Sequence, residues 1–555
     1  MAKTSAGAQA PRAALDDDPI AVHGGWEDIF GDDARAAFEE QLPRWIRQKR
    51  WFGSKARPVR YAALTDAVPL RPGATDGYLA FVRVEFTDGA GEDYALPLAY
   101  ARGVEGERLA AEHPDAVIVR VRENGGVEGV VFDGVHDPRL DAGLLDAVAH
   151  RRRLRGTTGD VVAYPTPAFR HLAAGTARLR PSVMGAEQSN TSIRFGDRLI
   201  LKLYRRLEQG ASLDLEIGRF LTERGFAHAA AVAGAIEHNG RTLAVVSQFV
   251  PNEGDAWSYT LDRVADYYDH VAALPGAAPA VQPTTAGLLA RAAEGPAAEA
   301  LERIGGYLSD ARLLGQRTAG MHACLASAPQ DPDFAPEPFT LAYQRSLYRS
   351  MRDLVGQAWL ALERALPRLP DAVRPETERL LATKDALLRR FRGLVGRKIA
   401  ATRIRTHGDY HLGQVLYTGK DFVITDFEGE PARALSERRL KRSALRDVCG
   451  MIRSFHYAAL AQFFETGGGG RRRELTPGLR AWAGFWYFHV ASAYLGGYLD
   501  SARDRVFLPA EPGAVEKLLD AYLLEKAVYE VGYELNNRPA WLGIPVQGVL
   551  HLLGE

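Results

Sequence analysis

The run His407-Gly408-Asp409-Tyr410-His411-Leu412-Gly413-Gln414 gathers a carboxylate, two imidazoles and an amide in one short stretch. Seventeen residues after Asp409 comes Asp426, which opens Asp426-Phe427-Glu428-Gly429-Glu430-Pro431. Between them, two short apolar runs at 415–417 and 422–425 flank Thr418-Gly419-Lys420-Asp421, a pattern that predicts a β-hairpin. A hairpin returns the chain to its start, so Asp426 is expected beside Asp409 and Gln414. Carboxylate and amide oxygens suit a hard divalent cation such as Mg2+. An acid next to such a cation is what phosphoryl transfer requires, since the acid orients the acceptor hydroxyl while the metal holds phosphate oxygens. The competing reading is a zinc pair made by His407 and His411. No third His or Cys follows at ligand spacing, and the loop does not read as a helix.

Phosphoryl transfer also needs a lysine for phosphate charge and a polar loop over the nucleotide. Residues 183–192 join two expected strands, and Gln188, Ser189, Asn190 and Thr191 are small or polar enough to let backbone N–H groups approach phosphate oxygens. No Gly-Lys-Ser/Thr follows and there is no G-x-G-x-x-G, so a plain polar turn is the alternative. The next strand sets Lys202 among apolar neighbours. It either faces solvent or reaches the α/β-phosphates and pairs with an acid of the following helix. Glu216 is the expected acid, because Asp214 stands nearer the helix start, where it would serve as a cap. Gln248 and Val250 close this block and are the expected hinge that meets adenine. Asp409 and Gln414 are five residues apart, the spacing of the Asp and Asn in a kinase catalytic loop.

The elements that must position these residues follow from the apolar pattern. Helical spacing of Phe38, Leu42, Trp45 and Ile46 predicts a helix over 32–50. Strands are expected at 78–86, 94–99, 117–121 and 127–132, the last two joined by the turn Asn124-Gly125-Gly126. A helix over 144–154 is expected to end in the solvated run Arg151-Arg152-Arg153. Strands at 193–195, 198–204 and 244–249, with a helix over 213–224, make a second β-rich block. Beyond Pro251 the pattern is helical apart from the one hairpin. The 555 residues carry 69 basic and 69 acidic side chains, a neutral balance that argues against nucleic acid or an anionic membrane as the main partner. Two cysteines make no disulfide framework, so a cytoplasmic protein is expected. The expected organisation is a disordered tail over 1–30, a cap over 31–178, a small nucleotide-binding lobe over 179–251 and a helical lobe over 252–555.

Together with Leu435-Ser436-Glu437-Arg438 and Leu445-Arg446-Asp447-Val448, the runs at 407–414 and 426–431 closely resemble the bacterial maltokinases. Arg50-Trp51-Phe52-Gly53-Ser54-Lys55 resembles the start of their cap, and Tyr533-Glu534-Leu535-Asn536-Asn537-Arg538-Pro539-Ala540-Trp541 their C-terminal signature. The resemblance runs from about residue 41 to the C-terminus. These kinases are relatives of the aminoglycoside phosphotransferases. The resemblance therefore implies an α+β, bilobal, protein-kinase-like fold with an N-terminal α/β cap and a large helical C-lobe.

It implies ATP-dependent conversion of maltose to maltose 1-phosphate, a donor for α-glucan synthesis. It implies Asp409 as catalytic base, Gln414 and Asp426 as Mg2+ ligands with Glu428 as a further acid, and Lys202 as the phosphate lysine. Sugar contacts are expected from Glu530, Tyr533, Asn537 and Arg538 on the C-terminal helix, and from His411 and Glu430 near the catalytic loop. The mixed charge of 530–538 favours a neutral sugar. Other acceptors such as glucosamine, glucose or an aminoglycoside, and a catalytically silent regulator, are the alternatives. The family is also found fused behind trehalose synthase, so a partnership with a separate trehalose synthase is expected.

Overall fold

The computed structural model describes residues 18–70, 77–174, 180–185, 190–273, 277–431, 433–464 and 473–555. The chain divides into two compact units, one of residues 1–215 with 231–249 and one of 216–230 with 250–555.

The first unit holds two seven-stranded sheets. One runs in the order Ile20–Ala21, Val117–Arg122, Glu128–Asp133, Glu92–Arg102, Gly77–Phe86, Val59–Leu70, with Arg206–Leu207 paired onto Glu92–Arg102. All its pairings are antiparallel except that of Ile20–Ala21 with Val117–Arg122. Strand Gly77–Phe86 shows why its sequence is apolar almost throughout. Leu79 and Phe81 face a core shared with the second sheet, while Ala80, Val82 and Val84 face a core under helix Asp32–Gln48. A strand buried on both faces shows no polar alternation. The helix adds Phe38, Leu42, Trp45 and Ile46 to that second core, the set its periodicity predicted.

The second sheet runs Arg153–Leu154, Val161–Pro165, Val232–His238, Arg241–Gln248, Leu199–Tyr204, Asn190–Phe195, Pro181–Val183. It thus draws in strands upstream of residue 179. Leu199, Leu201 and Leu203 face the shared core together with Phe132 and Val135 of the cap. Beneath the interface, Arg205 and Asp133 form a buried ion pair in which Nη2 donates to both carboxylate oxygens, at 2.9 and 3.0 Å.

Several expectations need correction here. Residues 1–17 of the expected tail lie outside the described residues, but the rest is built into the fold: Ile20–Ala21 is a strand and Trp26 and Ile29 are buried. The helix expected over 144–154 is Pro138–Ala149, started by Asp137, whose carboxylate accepts the Arg139 N–H at 2.9 Å, with Pro138 at the first position. The three arginines lie beyond it. Arg151 is left-handed with φ 53°, and Arg152 and Arg153 pair with Asp146 and Asp160.

The second unit is helical. Helices Tyr307–Leu325, Leu445–Phe464, Pro477–Ser501 and Pro512–Asn537 bury Met321, Phe455, Trp486, Tyr494 and Val528. Helix Tyr307–Leu325 crosses Pro477–Ser501 so closely that a Cβ on Gly315 would lie 2.1 Å from the Tyr494 carbonyl oxygen. The predicted hairpin is present as Val415–Tyr417 paired with Phe422–Ile424.

Candidate active site

The loop at 407–414 is held from behind by Asp447, a buried acid near the start of helix Leu445–Phe464. Its carboxylate accepts the His407 N–H at 2.7 Å and the Gly408 N–H at 3.0 Å, and lies 3.1 Å from His322 Nε2. Burial opposes its charge, but His322 and these donors hold its carboxyl below the ordinary range. On the hairpin side, His407 Nε2 lies 2.9 Å from the Thr425 carbonyl oxygen, and the Thr425 N–H donates to the Gln414 carbonyl at 2.9 Å. The hairpin therefore ends next to the loop, as expected.

Asp426 follows with φ 62°, a left-handed conformation uncommon outside glycine. Gly408 is also left-handed at φ 88°, and a Cβ there would sit 3.3 Å from Gly429 Cα. The two motifs are thus packed backbone against backbone. Carboxylate oxygens of Asp426 and Glu428 come within 4.8 Å of each other. Two acids at that separation, turned together by a left-handed residue, form an oxygen donor set that suits Mg2+.

Beside the loop opens a cavity of about 660 Å3. Six expected residues line it: Asp409, His411, Glu430, Glu530, Tyr533 and Arg538. His411 Nε2 lies 3.9 Å from Asp409 Oδ2. Burial pulls the His411 imidazole below its ordinary pKa, although Asp409 and Asp426 both act to raise it. Asn537 is not brought in. Its side chain turns back to donate to the Tyr533 carbonyl at 2.8 Å, and it is exposed. The resemblance places it among the sugar contacts, but it is the last residue of helix Pro512–Asn537.

The sequence reading passed over Lys526, Tyr529, Glu534 and Trp257, which also line the cavity. A signal for the first two existed, since positions 526, 529, 530 and 533 recur at helical spacing on one face of Pro512–Asn537. The cavity's three glutamates are charge-paired. Glu530 takes Arg453 Nε at 2.9 Å and Nη2 at 2.7 Å, Glu534 takes Arg538 at 2.7 and 3.0 Å, and Glu430 takes Arg433 at 2.5 Å. Burial would raise Glu430, but the Tyr529 hydroxyl and Arg433 hold it below the ordinary carboxylate range. Lys526 makes no ion pair among the described residues.

In the first unit, Lys202 Nζ lies 3.2 Å from Asp214 Oδ2, and the Tyr204 hydroxyl donates to the same oxygen at 3.1 Å. The acid that meets Lys202 is therefore Asp214, not Glu216. Glu216 pairs instead with Arg405 and Arg439. The helix begins at Leu213, so Asp214 lies inside its first turn and is no cap. Thr191 is buried, and its hydroxyl accepts from Arg205 Nε at 2.9 Å, which turns it into the core rather than toward a phosphate. Asn190 pairs across the strands with Tyr204. Gln188 and Ser189 lie outside the described residues. Gln248 pairs with Leu199, and its N–H donates to the Ala231 carbonyl at 2.8 Å. The Val250 carbonyl accepts from Asn252 Nδ2 at 2.8 Å.

Residues 45–137 match the maltokinase N-terminal cap domain. This segment is similar to a maltokinase cap. It lies inside the 31–178 expected from sequence. Over 463 residues, 81% of this chain and 96% of the relative, the chain is 25% identical to a glucosamine kinase of Mycolicibacterium smegmatis. A glucosamine kinase of Streptacidiphilus jiangxiensis is 26% identical over 252 residues, 45% of this chain and 50% of the relative. Among solved structures, glucosamine kinase in crystal form B is similar with a TM-score of 0.59 at 20% identity, covering 91% of this chain and 96% of that one. Glucosamine kinase in complex with glucosamine, ADP and inorganic phosphate is similar with a TM-score of 0.57 at 19% identity, covering 89% and 95%. The capped chain is thus a relative of sugar kinases and has the α+β kinase fold expected from its sequence. Among the described residues, no helix is long and apolar enough to cross a membrane.

Proposed function

We propose that the protein transfers the γ-phosphoryl group of ATP to the anomeric hydroxyl of maltose, giving maltose 1-phosphate. Asp409 is the base. Its carboxylate accepts a hydrogen bond from the anomeric hydroxyl, aligns that oxygen with the γ-phosphorus and takes the proton as the bond forms. Lys202, oriented by Asp214, meets the phosphates. Asp426, Gln414 and Glu428 are the residues that would hold Mg2+, which when bound neutralises charge on the transferring group. Asp447 and His407 keep the loop in place.

The observation that carries a neutral acceptor is the charge state of the cavity. Glu430, Glu530 and Glu534 are each paired with an arginine, while Lys526 forms no ion pair among the described residues. Paired carboxylates still accept hydrogen bonds from sugar hydroxyls, and Lys526 would repel a cationic amino sugar, although Asp409 and Asp255 line the same cavity without an arginine or lysine partner among the described residues. About 660 Å3 lies within the range of ~300–1,000 Å3 typical of small-molecule sites, and Trp257, Tyr529 and Trp541 offer flat surfaces for sugar rings.

Glucosamine is the second reading, favoured by the relative that matches most of the chain. One experiment separates the two. The purified protein is given Mg·ATP with maltose, glucose, glucosamine or kanamycin, and ADP release is followed. Turnover with maltose alone, and a product that loses phosphate in mild acid as a glycosyl phosphate does, supports the proposal. Turnover with glucosamine in place of maltose overturns it and keeps the catalytic residues. A partnership with trehalose synthase belongs to the same reading, and failure of the two proteins to co-elute would count against a physical complex.

A further inference from the structure

Glu216 is gripped by two cations. Arg405 forms an ion pair with one carboxylate oxygen, and Arg439 Nε lies 3.3 Å from the other. Arg405 is buried, and its guanidinium also donates to the Arg439 carbonyl, so the two arginines brace one another. Over the same guanidinium, at 5.7 Å, lies the ring of Phe334, which stacks on Phe220 at 3.7 Å with the planes 8° apart. Glu216 and Phe220 are four residues apart and share one face of helix Leu213–Glu223. That face is fixed by a charge pair and a ring stack together. Arg405 stands two residues before His407, in a segment whose Ile404 exchanges backbone hydrogen bonds with Arg442 at 2.9 Å in both directions.

Asp214 is two residues before Glu216 on the same helix. At about 100° per residue the two side chains leave the helix about 200° apart, on opposite faces. Whatever fixes the rotation of one face therefore fixes the direction of the other.

We infer that Glu216, Arg405 and Arg439 are positioning residues for phosphoryl transfer: they set the rotation of helix Leu213–Glu223 at which Asp214 meets Lys202 at 3.2 Å. This rests on the proposed role of Lys202 at the nucleotide phosphates. Glu216 lies between two like charges and offsets their repulsion, so removing its charge would loosen both arginines from the helix at once.

The test compares Glu216→Gln and Arg405→Lys with Asp214→Asn and Lys202→Ala in the full chain, reading KM for ATP, KM for the sugar, kcat and Tm. Lys202→Ala and Asp214→Asn should raise KM for ATP. Glu216→Gln should raise it about 3- to 30-fold with KM for the sugar unchanged. The double variant Glu216→Gln with Asp214→Asn should be no worse than Asp214→Asn alone, because both act through one lysine. Arg405→Lys keeps the charge but not the fork and should fall between wild type and Glu216→Gln. It also provides the readout if Glu216→Gln folds poorly. A wild-type KM for ATP in folded Glu216→Gln or Arg405→Lys, an equal rise in both KM values, or full additivity in the double variant would overturn the inference alone. No change in Lys202→Ala would overturn the Lys202 reading and the inference with it.

Discussion

Asp409 has no arginine or lysine partner among the described residues, in contrast to the three glutamates of its cavity. That leaves its charge available to an incoming hydroxyl. Asp409→Asn should keep the fold and lower kcat by about 10²-fold or more, and near-normal turnover would remove Asp409 from the base role. Lys526 is the complementary residue. Lys526→Glu should move the ratio of kcat/KM for glucosamine over maltose upward by at least about tenfold, as an added acid attracts the amino group. An unchanged ratio would leave the charge argument for a neutral sugar without support.

Asp141 offers a test away from the site. It is buried in helix Pro138–Ala149, its Oδ1 has no hydrogen-bond partner among the described residues, and burial followed by Asp133 and Asp137 pushes its pKa from an ordinary 3.8 up to about 9. Between those values the folded chain holds a proton that the unfolded chain has released. Stability is therefore lost as pH rises from about 4 toward 9, by at most about 1.4 kcal/mol per pH unit. Asp141→Asn cannot ionise. Its stability relative to wild type should climb between pH 5 and pH 8 in thermal melts, and parallel pH curves would contradict the shift.

At the scale of elements, the loop at 407–414 depends on helix Leu445–Phe464 for its shape. Asp447 accepts two consecutive loop N–H groups, and an amide in its place can offer an oxygen to only one of them. Asp447→Asn should lower kcat about 10- to 100-fold with a small change in either KM, because the loop is displaced rather than the ligands lost. Steady-state kinetics on a variant with a normal melting curve would decide it, and an unaltered kcat would mean the loop holds itself. Long, regular elements were legible in the sequence. Helix Asp32–Gln48, strand Gly77–Phe86 and the hairpin after Gln414 all came from periodicity and turn residues.

Strand Val59–Leu70 did not. Asp66 and Pro69 interrupt its pattern, and only the fold shows Asp66 buried and accepting from the N–H and hydroxyl groups of Thr157 and Thr158 at 2.8–3.0 Å. Strand Val232–His238, with Ala-Gly-Ala at its centre, has too little side-chain bulk to read as a strand. Gly234 is small because a Cβ would lie 2.5 Å from Val148 Cγ1, a neighbour far off in sequence.

At the scale of the first unit, the cap and the second sheet are not separable bodies. Val68, Leu79, Phe81 and Phe132 bury against Ile193, Leu199, Leu201 and Val246 in one core, and Arg205 has its acid, Asp133, in the cap. A chain starting at residue 138 would expose that core and leave Arg205 buried without its acid, a loss of about 3–5 kcal/mol from the ion pair alone. Such a truncation should bind a hydrophobic dye and melt without a cooperative transition. A sharp melt would show that the second sheet folds without the cap.

The sequence by itself carried the runs at 407–414 and 426–431, their order and the resemblance that implies a kinase fold, because a polar loop, a hairpin and a following acid are local and their spacing is written in the chain. It also carried the helical face of 526, 529, 530 and 533, unread until the cavity was seen. Tertiary structure alone decided which acid meets Lys202, which acids are paired with Arg453 and Arg538, and that Asp447 holds the loop. Each of those depends on side chains from distant segments meeting at a few ångströms, and charge pairing of that kind has no period in a sequence.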